Sequence, residues 1–270
     1  MSIMNWLKNV FDPNEKMPTR NMYGWKKDLY DSRDKPFLKH TNPIDLPRRV
    51  DLRPYCTPVE NQFELGSCTG NAIASAIEYA FNRNSGRVLD ISRLFIYYEE
   101  RKMMNTINED SGAYIRDGIK VCAKLGAPVE ELWPYNLMLW KNQPTGNAYL
   151  DASRRQIVEY KRCNTLNEVL TALKIGYPVI FGFLIYSSFD NSKVHYNGIM
   201  PMPDPSKETL SGGHAVLAVG YDLDKDILIV RNSWGDKWGD KGYFYMPLGV
   251  IRSNALSNDF WTITKIKEFK

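Results

Sequence analysis

At 270 residues the chain is long enough to bury a sizeable core in one domain or in two closely packed halves. Its formal charge of +4 is spread over interspersed acids and bases with no basic block, so nothing in it reads as a surface for nucleic acid. No apolar run approaches the ~18 residues of a membrane-spanning helix, and Met1–Asp12 lacks a long apolar stretch and a small-residue cleavage site, so neither a membrane partner nor a secretory signal is expected.

Residues 1–46 are polar, carry Pro13, Pro18, Pro36 and Pro43, and predict an irregular extension with an aromatic anchor at Tyr23-Gly24-Trp25. The run from Gln62 through Gly66-Ser67-Cys68 follows. Behind Cys68 the apolar residues Ile73, Ala76, Ile77, Ala80 and Phe81 recur at helical spacing, predicting a helix from Cys68 to about Phe81. That puts the thiol at a helix N-terminus, where unpaired N–H groups and the helix dipole favour the thiolate. Gln62, six residues upstream, could set an amide donor beside the sulfur.

Further helices are expected from Ser92, a plausible N-cap, to about Met104, and from Gly112 to Leu125. Strands are expected over Pro178–Tyr186, His214–Tyr221, Ile227–Asn232 and Gly242–Met246. A helix-rich stretch over residues 68–165 followed by an antiparallel half over 175–250 makes an α+β chain. No internal repeat is visible.

A nucleophilic thiolate needs a base and something to orient it. His40 lies in the polar extension, and His195 sits in Asn191–Gly198, which reads as a loop. His214 differs, because it follows Gly212-Gly213 at the mouth of an apolar strand. A hairpin through Asp222–Asp226 would bring Asn232 to the same end, where its side chain could fix one imidazole tautomer. The four cysteines, at 56, 68, 122 and 163, show no zinc spacing. No metal or cofactor is expected. With Cys68 set aside, an odd number remains, which favours a reducing compartment: the cell interior, or a virion if the chain is viral. Cys56, Cys122 and Cys163 read as small buried hydrophobes.

These residues resemble the papain-like cysteine peptidases. The matching pieces are Gln62 with Gly66-Ser67-Cys68, Gly213-His214-Ala215 with Val219-Gly220-Tyr221, Asn232-Ser233-Trp234-Gly235, and Trp238-Gly239. Leu46–Arg53 looks like the start of a mature domain of that family, and Trp133-Pro134-Tyr135 like its Tyr-Pro-Tyr stretch. His214 lies 146 residues beyond Cys68, inside the ~130–150 window of the family. The resemblance covers roughly residues 46–262. Leu65, where a disulfide-forming cysteine is usual, and Thr69, where a tryptophan is usual, depart from it without touching the catalytic atoms.

The resemblance implies a two-lobed fold with a helical left half (about 62–165), a barrel-like antiparallel right half (about 166–250 plus the C-terminal segment) and a cleft between them, all within a peptidase domain over 47–270. It implies a Cys68–His214 pair oriented by Asn232, an oxyanion site at Gln62 and the Cys68 N–H, and shielding by Trp234. Substrate would be bound by Gly66, Ser67, Ser111, Gly112, Tyr114, Gly213, Ala215 and Trp234. Tyr114, Gly182, Ala215 and Asn258 would line an apolar pocket for the second residue before the cut.

A peptide or protein substrate and a monomeric enzyme are expected. The extension has two roles open to it, a permanent brace or a cover over the cleft. Two other function classes remain open beside the peptidase: a Cys-His acyltransferase or amidase, against which Asn232 argues, and a catalytically silent binding or structural protein, against which the intact set of four argues.

Overall fold

The computed structural model describes residues 23–37 and 45–267. The sequence readings on Met1–Asp12, Pro13, Pro18, His40 and Pro43 fall outside them. In chain order, β1 (Trp25–Lys26) and β2 (Arg49–Asp51) precede helix α1 (Cys68–Ser85), which stops at Gly86 in a left-handed conformation (φ 67°). Helix α2 (Arg93–Met103) begins at Ser92, whose hydroxyl accepts from the Phe95 N–H, the cap expected from sequence. The segment expected as one helix from Gly112 divides into β3 (Ala113–Tyr114) and α3 (Ile115–Lys124). The division has a cause: Ala113 and Tyr114 pair in parallel with Trp25 and Lys26 of the extension.

Next come α4 (Gly146–Ala152), β4 (Ile157–Cys163), α5 (Leu166–Lys174), β5 (Val179–Tyr186) and α6 (Ser192–Asn197). The chain then runs through β6 (Leu210–Asp222), β7 (Ile227–Arg231), β8 (Tyr243–Pro247), α7 (Leu248–Arg252) and β9 (Ser257–Ile266). The stretch 68–165 is helix-rich as expected, with β4 closing it, whereas His195 sits on α6 rather than in a loop. Asn191 makes that helix by accepting from the Lys193 and Val194 N–H groups.

Among the described residues seven strands form one sheet in the order β4-β9-β5-β6-β7-β8, with β2 paired to the far end of β6. The sheet is open, antiparallel throughout, and not a closed barrel. The run Ala215–Val219 is apolar without alternation because β6 is buried on both faces. Ala215, Leu217 and Val219 belong to the core shared with Cys68, Ile73 and Ile77 of α1. Val216 and Ala218 join the opposite core with Val169, Leu173, Phe181 and Phe244. One strand thus joins the helical layer to the sheet's other core, and His214 lies within it, opposite Phe183 of β5; the strand begins at Leu210, four residues before the histidine expected to open it. No helix among the described residues is long and apolar enough to cross a membrane.

Candidate active site

Cys68 is the first residue of α1 and is fully buried. Its Sγ accepts the Ala215 N–H at 3.3 Å from across the cleft, and the N–H groups of Gly24 and Thr69 also point to it. Because Ala215 follows His214 directly, this bond sets the thiol against the strand that carries the imidazole. The His214 Nε2 lies 2.8 Å from Asn232 Oδ1. A side-chain carbonyl only accepts, so Nε2 carries the proton and Nδ1 is left as the basic lone pair. That Nδ1 is buried and has no hydrogen-bond partner among the described residues. Trp234 stacks on the imidazole with ring centroids 4.9 Å apart and a 29° tilt, covering one face of the pair.

Gln62 is held from both sides. Its Oε1 accepts from Ser233 Oγ at 2.6 Å and its Nε2 donates to Leu65 O at 2.9 Å, which fixes which end of the amide faces which way. Tyr135 ties this loop to the start of α1: its hydroxyl donates to Gln62 O at 2.8 Å and meets Ser67 Oγ at 2.6 Å. The Asn71 side chain donates to the same Ser67 hydroxyl, and the buried Arg93 guanidinium lies 4.2 Å from the centre of the Tyr135 ring. The Trp133-Pro134-Tyr135 stretch was visible in sequence, but its part in joining Gln62 to Ser67 was not. Thr69, where the family pattern has tryptophan, donates its hydroxyl to the buried Glu100 at 2.7 Å.

The extension lies along this cleft. A Cβ on Gly24 would stand 1.8 Å from Gly66 O, and one on Gly112 would stand 2.0 Å from Gly24 O, so glycine at 24 and 112 lets the extension lie against both segments. The Gly24 carbonyl accepts from the Ala113 N–H at 2.7 Å. Trp25, only 7% exposed, packs on Gly182 and Gly213, where any Cβ would strike its indole. Tyr114 is in register with Lys26, and Gly182 with Ala215 and Asn258. The residues expected to line the apolar pocket therefore surround the strand that Trp25 belongs to, and its indole lies on Gly182. Tyr23 meets the imidazole edge-on at 6.3 Å and donates its hydroxyl to Asp190 Oδ1 at 2.5 Å. Ser111 stands at the rim, bonded to Thr106 Oγ1 at 2.8 Å and to Gly112 O.

Burial governs the electrostatics. Desolvation pushes the Cys68 thiol up to about 12, against the lowering pull of the Ala215 and Gly24 N–H groups. The same cause pushes His214 down to about 4, against its bond to Asn232. With the extension in place both partners are neutral. Outside the cleft, His195 packs against Trp234 and Trp238 at 6.3 and 5.9 Å, and all four cysteines are free.

A profile of the papain family cysteine proteases matches residues 46–260. An uncharacterized peptidase C1-like protein of Acanthamoeba polyphaga mimivirus is 38% identical over 231 residues, 82% of this chain and 74% of its own. Human cathepsin L2 is 30% identical over 210 residues, 74% of this chain but only 60% of its own length. Among solved structures, xylellain, a cysteine protease from Xylella fastidiosa, superposes with a TM-score of 0.84 at 38% identity, covering 94% of this chain and 99% of that one. The chain belongs to the papain family of cysteine proteases.

Proposed function

We propose that residues 47–270 hydrolyse peptide bonds through an acyl-enzyme on Cys68, and that Tyr23–Trp25 hold the enzyme latent by covering the cleft. The observation that carries the chemistry is the imidazole of His214. Its Nε2 is committed to Asn232, and its unpartnered Nδ1 stands on the strand that contacts the Cys68 sulfur.

Once the cleft opens, Nδ1 takes the thiol proton. The thiolate attacks the substrate carbonyl carbon, forming a C–S bond and pushing the carbonyl electrons onto oxygen. The Gln62 amide and the Cys68 N–H receive that oxygen; one such donor is typically worth about 3–4 kcal/mol in the transition state. His214 then protonates the leaving amine as the C–N bond breaks. Water, deprotonated by the same nitrogen, cleaves the thioester and restores the thiol. Asn232 holds the tautomer throughout, and Trp234 keeps water from that bond.

The covering segment resists cleavage for a stated reason. It presents an N–H, that of Gly24, to the sulfur, while the Gly24 carbonyl is turned to Ala113. A nucleophile finds a donor there instead of an electrophilic carbon. The enzyme would work as a monomer on peptide or protein substrates. The free state of all four thiols supports a reducing surrounding.

The test is hydrolysis of fluorogenic peptides by the full chain, its Cys68→Ala variant and a Tyr23→Ala/Trp25→Ala variant. Slow turnover by the full chain, faster turnover by the double variant and none by Cys68→Ala are expected. A folded double variant without activity above Cys68→Ala would leave a silent relative as the better reading.

A further inference from the structure

The proposed reaction, on which this inference rests, fixes where the residue after the scissile bond must sit. Its amine is the group His214 protonates, so that residue lies against the imidazole, and its side chain meets whatever lines that end of the cleft. In the closed protein Tyr23 occupies this end. Its ring centroid is 6.3 Å from the imidazole and 6.2 Å from the Trp234 ring, and its hydroxyl reaches Asp190.

Asp190 is set apart from the other acids near the extension. Asp28, Asp34 and Asp259 are each ion-paired with arginine, whereas Asp190 forms no ion pair among the described residues. Its two oxygens are met by neutral hydroxyls, Tyr23 at Oδ1 and Ser211 at Oδ2, the latter at 2.7 Å. Its position is held from both sides. Phe189, 1% exposed, packs among Phe183, Trp234, Trp238 and Phe244, and Asn191 caps α6. When Tyr23 leaves, the carboxylate loses one of its two donors and stays where it is, at the leaving-group end of the cleft.

We propose that Asp190 is a specificity-determining residue that selects lysine or arginine immediately after the scissile bond. The aliphatic stem of such a side chain can lie along the apolar wall at Trp234 while its charged head takes the place of the Tyr23 hydroxyl. A glutamate there faces an unpaired like charge. At a half-buried site the attraction and the repulsion together amount to about tenfold between lysine and glutamate.

Peptides identical except for Lys, Ala or Glu after the cut are assayed on full-length protein carrying Tyr23→Ala and Trp25→Ala. The readout is the ratio of kcat/KM for the Lys peptide to that for the Glu peptide. The same ratio is read on the unsubstituted chain, which keeps the test available if the double variant folds poorly. A ratio of about ten, falling toward one with Asp190→Asn and inverting with Asp190→Lys, supports the proposal. A ratio near one, or one that Asp190→Lys leaves unchanged, overturns it while the peptidase reading stands. No cleavage of any peptide, with Cys68 inert to a thiol-directed probe, overturns both.

Discussion

The extension touches the body of the protein through two regions of opposite chemistry. Tyr23–Trp25, over the cleft, dock by shape: glycines at 24 and 112 admit the backbone, and Gly182 and Gly213 admit the Trp25 indole. Asp28–Asp34, beyond the cleft, dock by charge. Asp28 accepts from the Trp261 indole at 2.9 Å and Asp34 from Arg116 at 2.6 Å, while Arg162 reaches Asp34 at 3.1 Å and Asp259 at 2.9 Å. Asp259 links the regions by accepting both the Trp25 Nε1–H at 3.2 Å and the Asp28 N–H at 2.7 Å. The difference separates two tasks. On the proposed reading, shape complementarity keeps substrate out and fails all at once when an atom is added, whereas a network of ion pairs anchors and fails by degrees.

Four changes would break or sharpen this contrast. The largest effect is expected from Gly24→Ala, because its Cβ meets backbone that cannot give way. An overpacking cost of about 1–3 kcal/mol corresponds to roughly 5- to 150-fold more open protein, read as peptide turnover. Little change would mean that the segment does not limit access. Asp259→Asn comes next. It removes the charge facing Arg162 and weakens both bonds to the extension; about tenfold more turnover is expected, together with a lower Tm, since Arg162 lies on β4 and Asp259 on β9. Gly24→Ala, by contrast, should leave the Tm of the body nearly unchanged.

Tyr23→Phe keeps the ring against the imidazole and removes only the bond to Asp190. A gain of about two- to fivefold in turnover is expected. A larger gain would move the anchoring from the charged region to the cleft.

The smallest effect is on pH dependence. Burial, and then the charge of Asp259, raise the Asp28 carboxyl from 3.8 to about 6, opposed by the Trp261 bond and by Arg116. Closing therefore takes up a proton there, which stabilises the closed form as pH falls through 6. Burial lowers His214 from 6.5 to about 4 and raises the Cys68 thiol to about 12, so the closed pair holds one proton, on sulfur; opening passes that proton to the imidazole and leaves the count of the pair unchanged. Asp28 is then the linked group, and the unsubstituted chain should open less readily at pH 5 than at pH 7.5. Asp28→Asn should remove that dependence, read at each pH as peptide turnover relative to the Tyr23→Ala/Trp25→Ala variant, which cancels the pH dependence of the chemistry. A ratio that still falls at pH 5 in Asp28→Asn would show that Asp28 is not the linked group.

Much of the site was legible because its signals are local. The helical period behind Cys68 places the thiol at a helix start, and the hairpin between His214 and Asn232 follows from two apolar runs around a short polar turn. Strands β4 and β9 leave no clear sequence signal because neither alternates cleanly. Ile157–Cys163 is polar and half-exposed for most of its length, and Ser257–Ile266 mixes Asn258, Asp259 and Thr262 into a strand buried on both sides. Asn191–Gly198 reads as a loop in sequence because α6 has only six residues and depends on its cap. What the sequence could not supply is pairing across long separations. Trp25 and Asp259 are 234 positions apart, and nothing near either one names the other. The aromatic anchor at Tyr23-Gly24-Trp25 was visible as composition; that its three residues meet Asp190, Gly66 and Gly182 is a product of the fold.

The account turns on Cys68 being a nucleophile held under Gly24. The most direct measurement is intact mass over time with a thiol-directed peptidyl epoxide, on the full chain, on Gly24→Ala and on Cys68→Ala. One slow adduct on the full chain, the same adduct at least about fivefold faster on Gly24→Ala, and none on Cys68→Ala is the expected result. Equal rates on the first two would contradict the covering role of the extension, and no adduct on a folded Gly24→Ala protein would contradict the nucleophile itself.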